Sequence, residues 1–152
     1  MKNSLKMAFV ALMAALFVSS CSTFSDDTEP YNVQEVVKDL SGVWALKTVT
    51  RNNVDITSQM DFSQFRLNLN SDGTYTIDNY LPFIVMENGT WGIDNPLYPF
   101  LLSFKEVSAN ASLDVELSYP IVNGKRALSI THSPGCYTNS YTYLMERVAD
   151  AK

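Results

Sequence analysis

The chain has 152 residues, 46% of them apolar and 12% aromatic, and a formal net charge of −5. That length supports one packed domain beside a leader and tether, and not two. The acidic balance, without a basic stripe interleaved with aromatics, argues against a phosphate backbone as partner, so no nucleic acid is expected.

At the N-terminus Lys2 and Lys6 flank the start of an apolar run over residues 7–18, followed by Ser19, Ser20 and Cys21. A charged start, an apolar middle and small residues at the end describe a secretory signal. Twelve helical residues rise only about 18 Å against a hydrocarbon core of roughly 30 Å, so a transmembrane helix fits less well. In a freely secreted protein Cys21 would be an incidental thiol. The stretch Val18-Ser19-Ser20-Cys21 resembles the lipobox of a bacterial lipoprotein. The resemblance implies that residues 1–20 are a signal peptide cleaved before Cys21, and that Cys21 is the lipid-attachment residue that anchors the chain to a membrane. Loss of Lys2 and Lys6 would leave nine basic against sixteen acidic residues, a net charge of −7.

Residues 21–32 are polar and acidic and read as a tether. The pair Asp26-Asp27 resembles the export signal that sends lipoproteins of Bacteroidota to the outer face of the outer membrane, which implies a surface-exposed protein. Read from charge alone, it is a solvated linker. Cys136 is the only other cysteine and cannot pair with a thioether-modified Cys21, so no intramolecular disulfide is expected.

The remaining residues, 33–152, read as one all-β domain. Val33, Val36, Val37 and Leu40 share a helical face, which predicts a short amphipathic turn before the first strand. Alternation rich in β-branched and aromatic residues then predicts eight strands, over 43–51, 65–70, 74–80, 90–94, 99–105, 113–119, 126–132 and 140–148. Turn chemistry separates them at Asp72-Gly73, Asn88-Gly89, Asn95-Pro96, Asn123-Gly124 and Pro134-Gly135. Residues 55–65 are polar and irregular, with room for another short helix, and 84–87 could pair with 90–94 as a ninth strand. Short strands joined by turns predict an antiparallel barrel or sandwich.

Gly42-Val43-Trp44 resembles the Gly-x-Trp opening of lipocalin-like (calycin) barrels. Residues 65–76, Asn88-Gly89-Thr90-Trp91, 61–65, 79–83, Tyr98-Pro99-Phe100 and 133–136 resemble small lipocalin-like lipoprotein domains of Bacteroidota, one uncharacterised domain-of-unknown-function family in particular. The resemblance implies an eight-stranded antiparallel up-and-down barrel in which Trp44 closes one end and Arg147, from the end of the last strand, lies across its ring. It implies no activity. Eight strands satisfy the parity of such a barrel, because the last then returns to the end at which the first begins.

Residues with chemical potential are few. Asn68-x-Asn70-x-Asp72-Gly73 opens like a calcium loop, but Asn79 stands where the bidentate Glu is needed, so a hairpin turn is the better reading. His132 is the only histidine, which excludes two-His and three-His metal sites within one chain. Cys136 four residues on could pair with it as thiol and base, without an oxyanion motif to support the reaction. Asp114 and Glu116 share a strand face, alternating with Leu113, Val115 and Leu117, and should face water. No phosphate loop or nucleophile elbow appears, so neither enzyme nor cofactor is expected, and no metal. The apolar run 80–86 falls in a connection at the end opposite Trp44, where polar residues would be ordinary. Tyr80, Phe83, Tyr137 and His132 are accordingly the candidate ligand contacts. The chain is thus expected to be a lipid-anchored binding module for a small apolar molecule or a glycan. The alternative is a solid barrel that docks on another envelope protein.

Overall fold

A computed structural model describes residues 34–79, 84–135 and 138–150. In chain order its elements are β1 (Gly42–Arg51), β2 (Val54–Asp55), a 3-10 helix (Thr57–Gln59), β3 (Arg66–Leu69), β4 (Thr74–Asp78), β5 (Gly89–Ile93), β6 (Leu101–Glu106), β7 (Leu113–Ser118), β8 (Ile121–Val122), β9 (Lys125–His132) and β10 (Tyr141–Ala149). The long strands pair antiparallel in the order β10-β1-β3-β4-β5-β6-β7-β9, and β9 pairs in turn with β10, which closes an eight-stranded up-and-down barrel. Closure removes the free edges that an open sheet of this size would leave for aggregation.

The eight strands read from alternation are all present. The two extra strands are short flaps at the ends of hairpins. β2 folds back on β1 across Asn52-Asn53, and β8 on β9 across Asn123-Gly124, with positive φ at all four turn residues as a two-residue turn of this hand demands. Residues 84–87 form no strand. Val85 is buried there, and the Glu106 carboxylate accepts the Met86 and Glu87 amides, so the segment is fastened to the end of β6 instead of extending the sheet.

The predicted helical turn at 33–40 is corrected: residues 34–41 carry no helix, while Val33 lies outside the described residues. The backbone groups there are taken by tertiary partners. The Lys38 amide donates to the Pro96 carbonyl, the Asp39 carbonyl accepts from Tyr119 Oη and Arg147 Nη2, and the Leu40 carbonyl accepts from Trp44 Nε1. Val36 and Val37, expected on a packed face, are 75% and 60% exposed.

Inward residues fill much of the barrel. Trp44, Phe65, Leu67, Leu69, Leu102, Phe104, Leu128, Ile130 and Met145 are almost wholly buried in one cluster. The strands cross so closely at Gly89 that a Cβ there would lie 1.9 Å from the Lys105 carbonyl oxygen. Only glycine fits that crossing.

Candidate functional site

The two ends of the barrel differ. One is plugged. Trp44, fully buried, meets the edge of Tyr119 at a centroid distance of 6.3 Å, and the Arg147 guanidinium lies 5.1 Å from its ring centroid. Arg147 can lie there because Gly42 carries no side chain: a Cβ on it would come within 3.0 Å of Arg147 Nε, and its φ of 146° is hard for any other residue. Asp39 completes the plug. Hydrogen bonds from the Ser41 hydroxyl and amide, aided by the Arg147 charge, hold its carboxyl below the usual carboxylate range.

The other end opens on a cavity of about 440 Å³ lined by Val49, Ile56, Met60, Phe62, Ile84, His132, Pro134, Tyr141 and Tyr143. Its walls come from β1, β9 and β10, and its brow from the β1–β3 and β4–β5 connections. Tyr141 and Tyr143, two residues apart on β10, point to one side of the strand and stack at 6.4 Å with 16° between their planes. His132 is the register partner of Tyr141 on β9, which brings the imidazole to the same rim. The Arg51 guanidinium covers the Tyr141 ring at 5.6 Å and its Nε donates to Asn139 Oδ1, so one wall is braced from outside. Burial, with the neighbouring Tyr141, pushes the Tyr143 hydroxyl up to about 12, so it stays protonated at ordinary pH. The lining supplies apolar contact, aromatic stacking and the polar groups of the imidazole and the two tyrosine hydroxyls.

Of the residues expected from sequence, His132 lines this cavity, and Trp44 and Arg147 meet at the opposite end. Tyr80, Phe83 and Tyr137 lie outside the described residues, as do Cys21 and Cys136. Ile84, from the same apolar run, lines the cavity, while Val85 enters the core. Sequence reasoning missed Tyr141 and Tyr143. Their alternation with Met145 and Arg147 marks one inward face of the last strand, and that pattern could have found them. The calcium-like segment is the β3–β4 turn, in which the Asn68 and Asn70 amides donate to Thr76 and Thr74 hydroxyls. Asp114 and Glu116 are exposed, and Asp114 accepts from the Ser103 hydroxyl. Among the described residues no group of three or more His, Cys, Asp or Glu is placed to hold a metal.

A family model described as a domain of unknown function (DUF5004) matches residues 21–146. The chain belongs to that family. The match begins at Cys21 and runs through the barrel into β10, stopping one residue short of Arg147. With the closed eight-stranded antiparallel barrel, membership fits a lipocalin-like fold. No curated protein and no solved structure matches the chain.

Proposed function

We propose that this DUF5004 protein is a lipid-anchored, non-enzymatic binding module of the bacterial outer membrane, displayed at the cell surface, which takes a small apolar molecule or the end of a glycan at its open rim. The observation that carries the reading is the 440 Å³ cavity, in the size range of small-molecule sites, with an apolar lining and a stacked tyrosine pair beside one imidazole. Tyr80, Phe83 and Tyr137 lie close in sequence to Ile84 and Pro134, which line the cavity, and would supply further contacts. The signal-like segment ending at Cys21 supports the anchor, and Asp26-Asp27 supports the outward address in a Bacteroidota-type envelope.

Native mass spectrometry of the purified protein tests the binding role. A co-purifying small molecule is expected, and it should be lost from Ile84→Trp, which fills the cavity mouth. A wild type found only at the mass of the bare chain would instead favour the second reading, a solid barrel that docks on an envelope protein. That alternative draws on the dense packing of the core below the cavity and on the exposed Met60 and Met86 at the rim. The anchor is tested separately by Cys21→Ser, which should leave an uncleaved precursor that takes up no labelled palmitate.

A further inference from the structure

The plugged end of the barrel has an unusual surface for so acidic a chain. A groove of about 830 Å³ beside β9 and β10 is lined by Lys47, Lys125, Arg126 and Arg147, four of the nine basic residues outside the signal-like segment. The carboxylates at this end are tied into local contacts, which fix them in place without removing their charge. Glu146 pairs with Lys47 at 3.2 Å, the Asp39 carboxylate accepts from Ser41, and the Asp94 carboxylate accepts the Phe100 and Leu101 amides. Arg126 is fixed over the Tyr119 ring at 5.5 Å and donates to the Tyr119 carbonyl, which leaves a guanidinium held in place at the groove wall.

The same end exposes large apolar side chains: Phe100 at 69%, Tyr98 at 54% and Ile121 at 63%, with Val36 and Val37 beside them. The segment from Val36 to Leu40 joins these groups across the barrel end, bonded to Pro96 on one side and to Tyr119 and Arg147 on the other. Aromatics and aliphatics next to a cluster of cations are what a headgroup–acyl boundary takes up. The chain also leaves the barrel here. Fifteen residues separate Cys21 from Val36, so an anchor on Cys21 joins the domain at its plugged end.

We propose that the plugged end lies against an anionic lipid surface, with Lys125, Arg126 and Arg147 facing phosphate headgroups and Tyr98, Phe100 and Ile121 at the boundary. The inference rests on the anchored reading, and it turns the cavity away from the membrane. Each cation held at an anionic surface contributes about a fivefold preference, so several acting together orient a tethered domain. The acidic surface elsewhere is repelled.

The acylated protein reconstituted into phosphatidylcholine vesicles, with and without phosphatidylglycerol, tests this by flotation and hydrogen exchange. Flotation with both vesicles is expected, with amide exchange in 94–101 and 119–124 slowed about tenfold or more only when phosphatidylglycerol is present. The double substitution Lys125→Glu with Arg126→Glu should abolish that protection while flotation persists. Phe100→Ser, at an exposed position, should weaken it in 94–101 without touching the core. Equal exchange in the two vesicles, or protection of 107–112 and 133–135 at the open rim instead, overturns the inference and leaves the anchor standing. A wild-type chain that floats with neither vesicle overturns the anchored reading and this inference with it.

Discussion

At the scale of single residues, Trp44 and Tyr75 make opposite predictions. Trp44 is fully buried, donates its indole N–H to the Leu40 carbonyl at 2.9 Å and carries Arg147 over its ring. Trp44→Ala should therefore cost about 3–5 kcal/mol, as for other large buried aromatics. Arg147→Ala should cost less, on the order of 1 kcal/mol for the cation–ring contact together with its bond to Asp39. Because the groups touch, a double-mutant cycle in chemical denaturation should show non-additive losses; strict additivity would sink the plug. Tyr75 is buried against Phe104, with ring centroids 5.1 Å apart, and its hydroxyl has no hydrogen-bond partner among the described residues. Tyr75→Phe removes an unpaired buried polar group and should raise stability by about 1 kcal/mol in the same assay.

Burial, together with the nearby Glu106 and Glu87 charges, pushes the Tyr75 hydroxyl up to about 12, as burial does for Tyr143. A folded-state value above the unfolded value near 10 means that this contribution is complete below about pH 10 and is lost as pH rises through about 12. Alkaline unfolding should thus set in between those limits. In Tyr75→Phe the stability should fall less steeply across that window, read by fluorescence-monitored denaturation at stepped pH. An unchanged slope would contradict the buried placement.

At the scale of elements, β1 explains why periodicity alone gives an incomplete picture. Trp44 and Leu46 face inward, but pairing with β10 passes from Leu46↔Met145 to Thr48↔Leu144, so Lys47 is a bulge and the inward face resumes at Val49. A bulge adds a residue to one strand and shifts the alternation beyond it. The strand was legible from its ends, and the side chain that reaches the cavity was not. The β5–β6 crossing shows the reverse case, in which Asn88-Gly89 signalled a turn and Gly89 proves to be the site of closest backbone approach. Gly89→Ala should destabilise by about 1–3 kcal/mol through displacement of the Lys105 peptide, measured by urea unfolding. Tolerance of alanine there would contradict so close a crossing.

At the scale of the whole molecule, the barrel is asymmetric along its axis, packed beneath the Trp44 plug and open at the far rim. Mutational cost should follow that axis. Leu67→Ala and Leu69→Ala, in the filled part, should each cost about 2–5 kcal/mol. Ile84→Ala and Met60→Ala, beside an existing cavity, should cost about 1 kcal/mol or less, because little close packing is lost. Equal costs at both ends, read from denaturant midpoints, would mean that the cavity is closed by its own side chains.

Local pattern specifies the eight strands and the turns between them and leaves a barrel or a sandwich open; the closed up-and-down barrel is what the resemblance to lipocalin-like domains implies. Alternation with a period of two and turn residues between the runs are local properties, and an even strand number returns Arg147 to the Trp44 end. Long-range contacts set the rest. Residues 34–41 are held in non-helical form by carbonyls and side chains far away in sequence, which outweigh a weak local helical pattern. The cavity exists only where the Ile56–Phe62 stretch, Ile84, His132 and the β10 tyrosines converge from distant positions. Which space a barrel leaves unfilled depends on how side chains from all its strands meet, and no single stretch of chain contains that information.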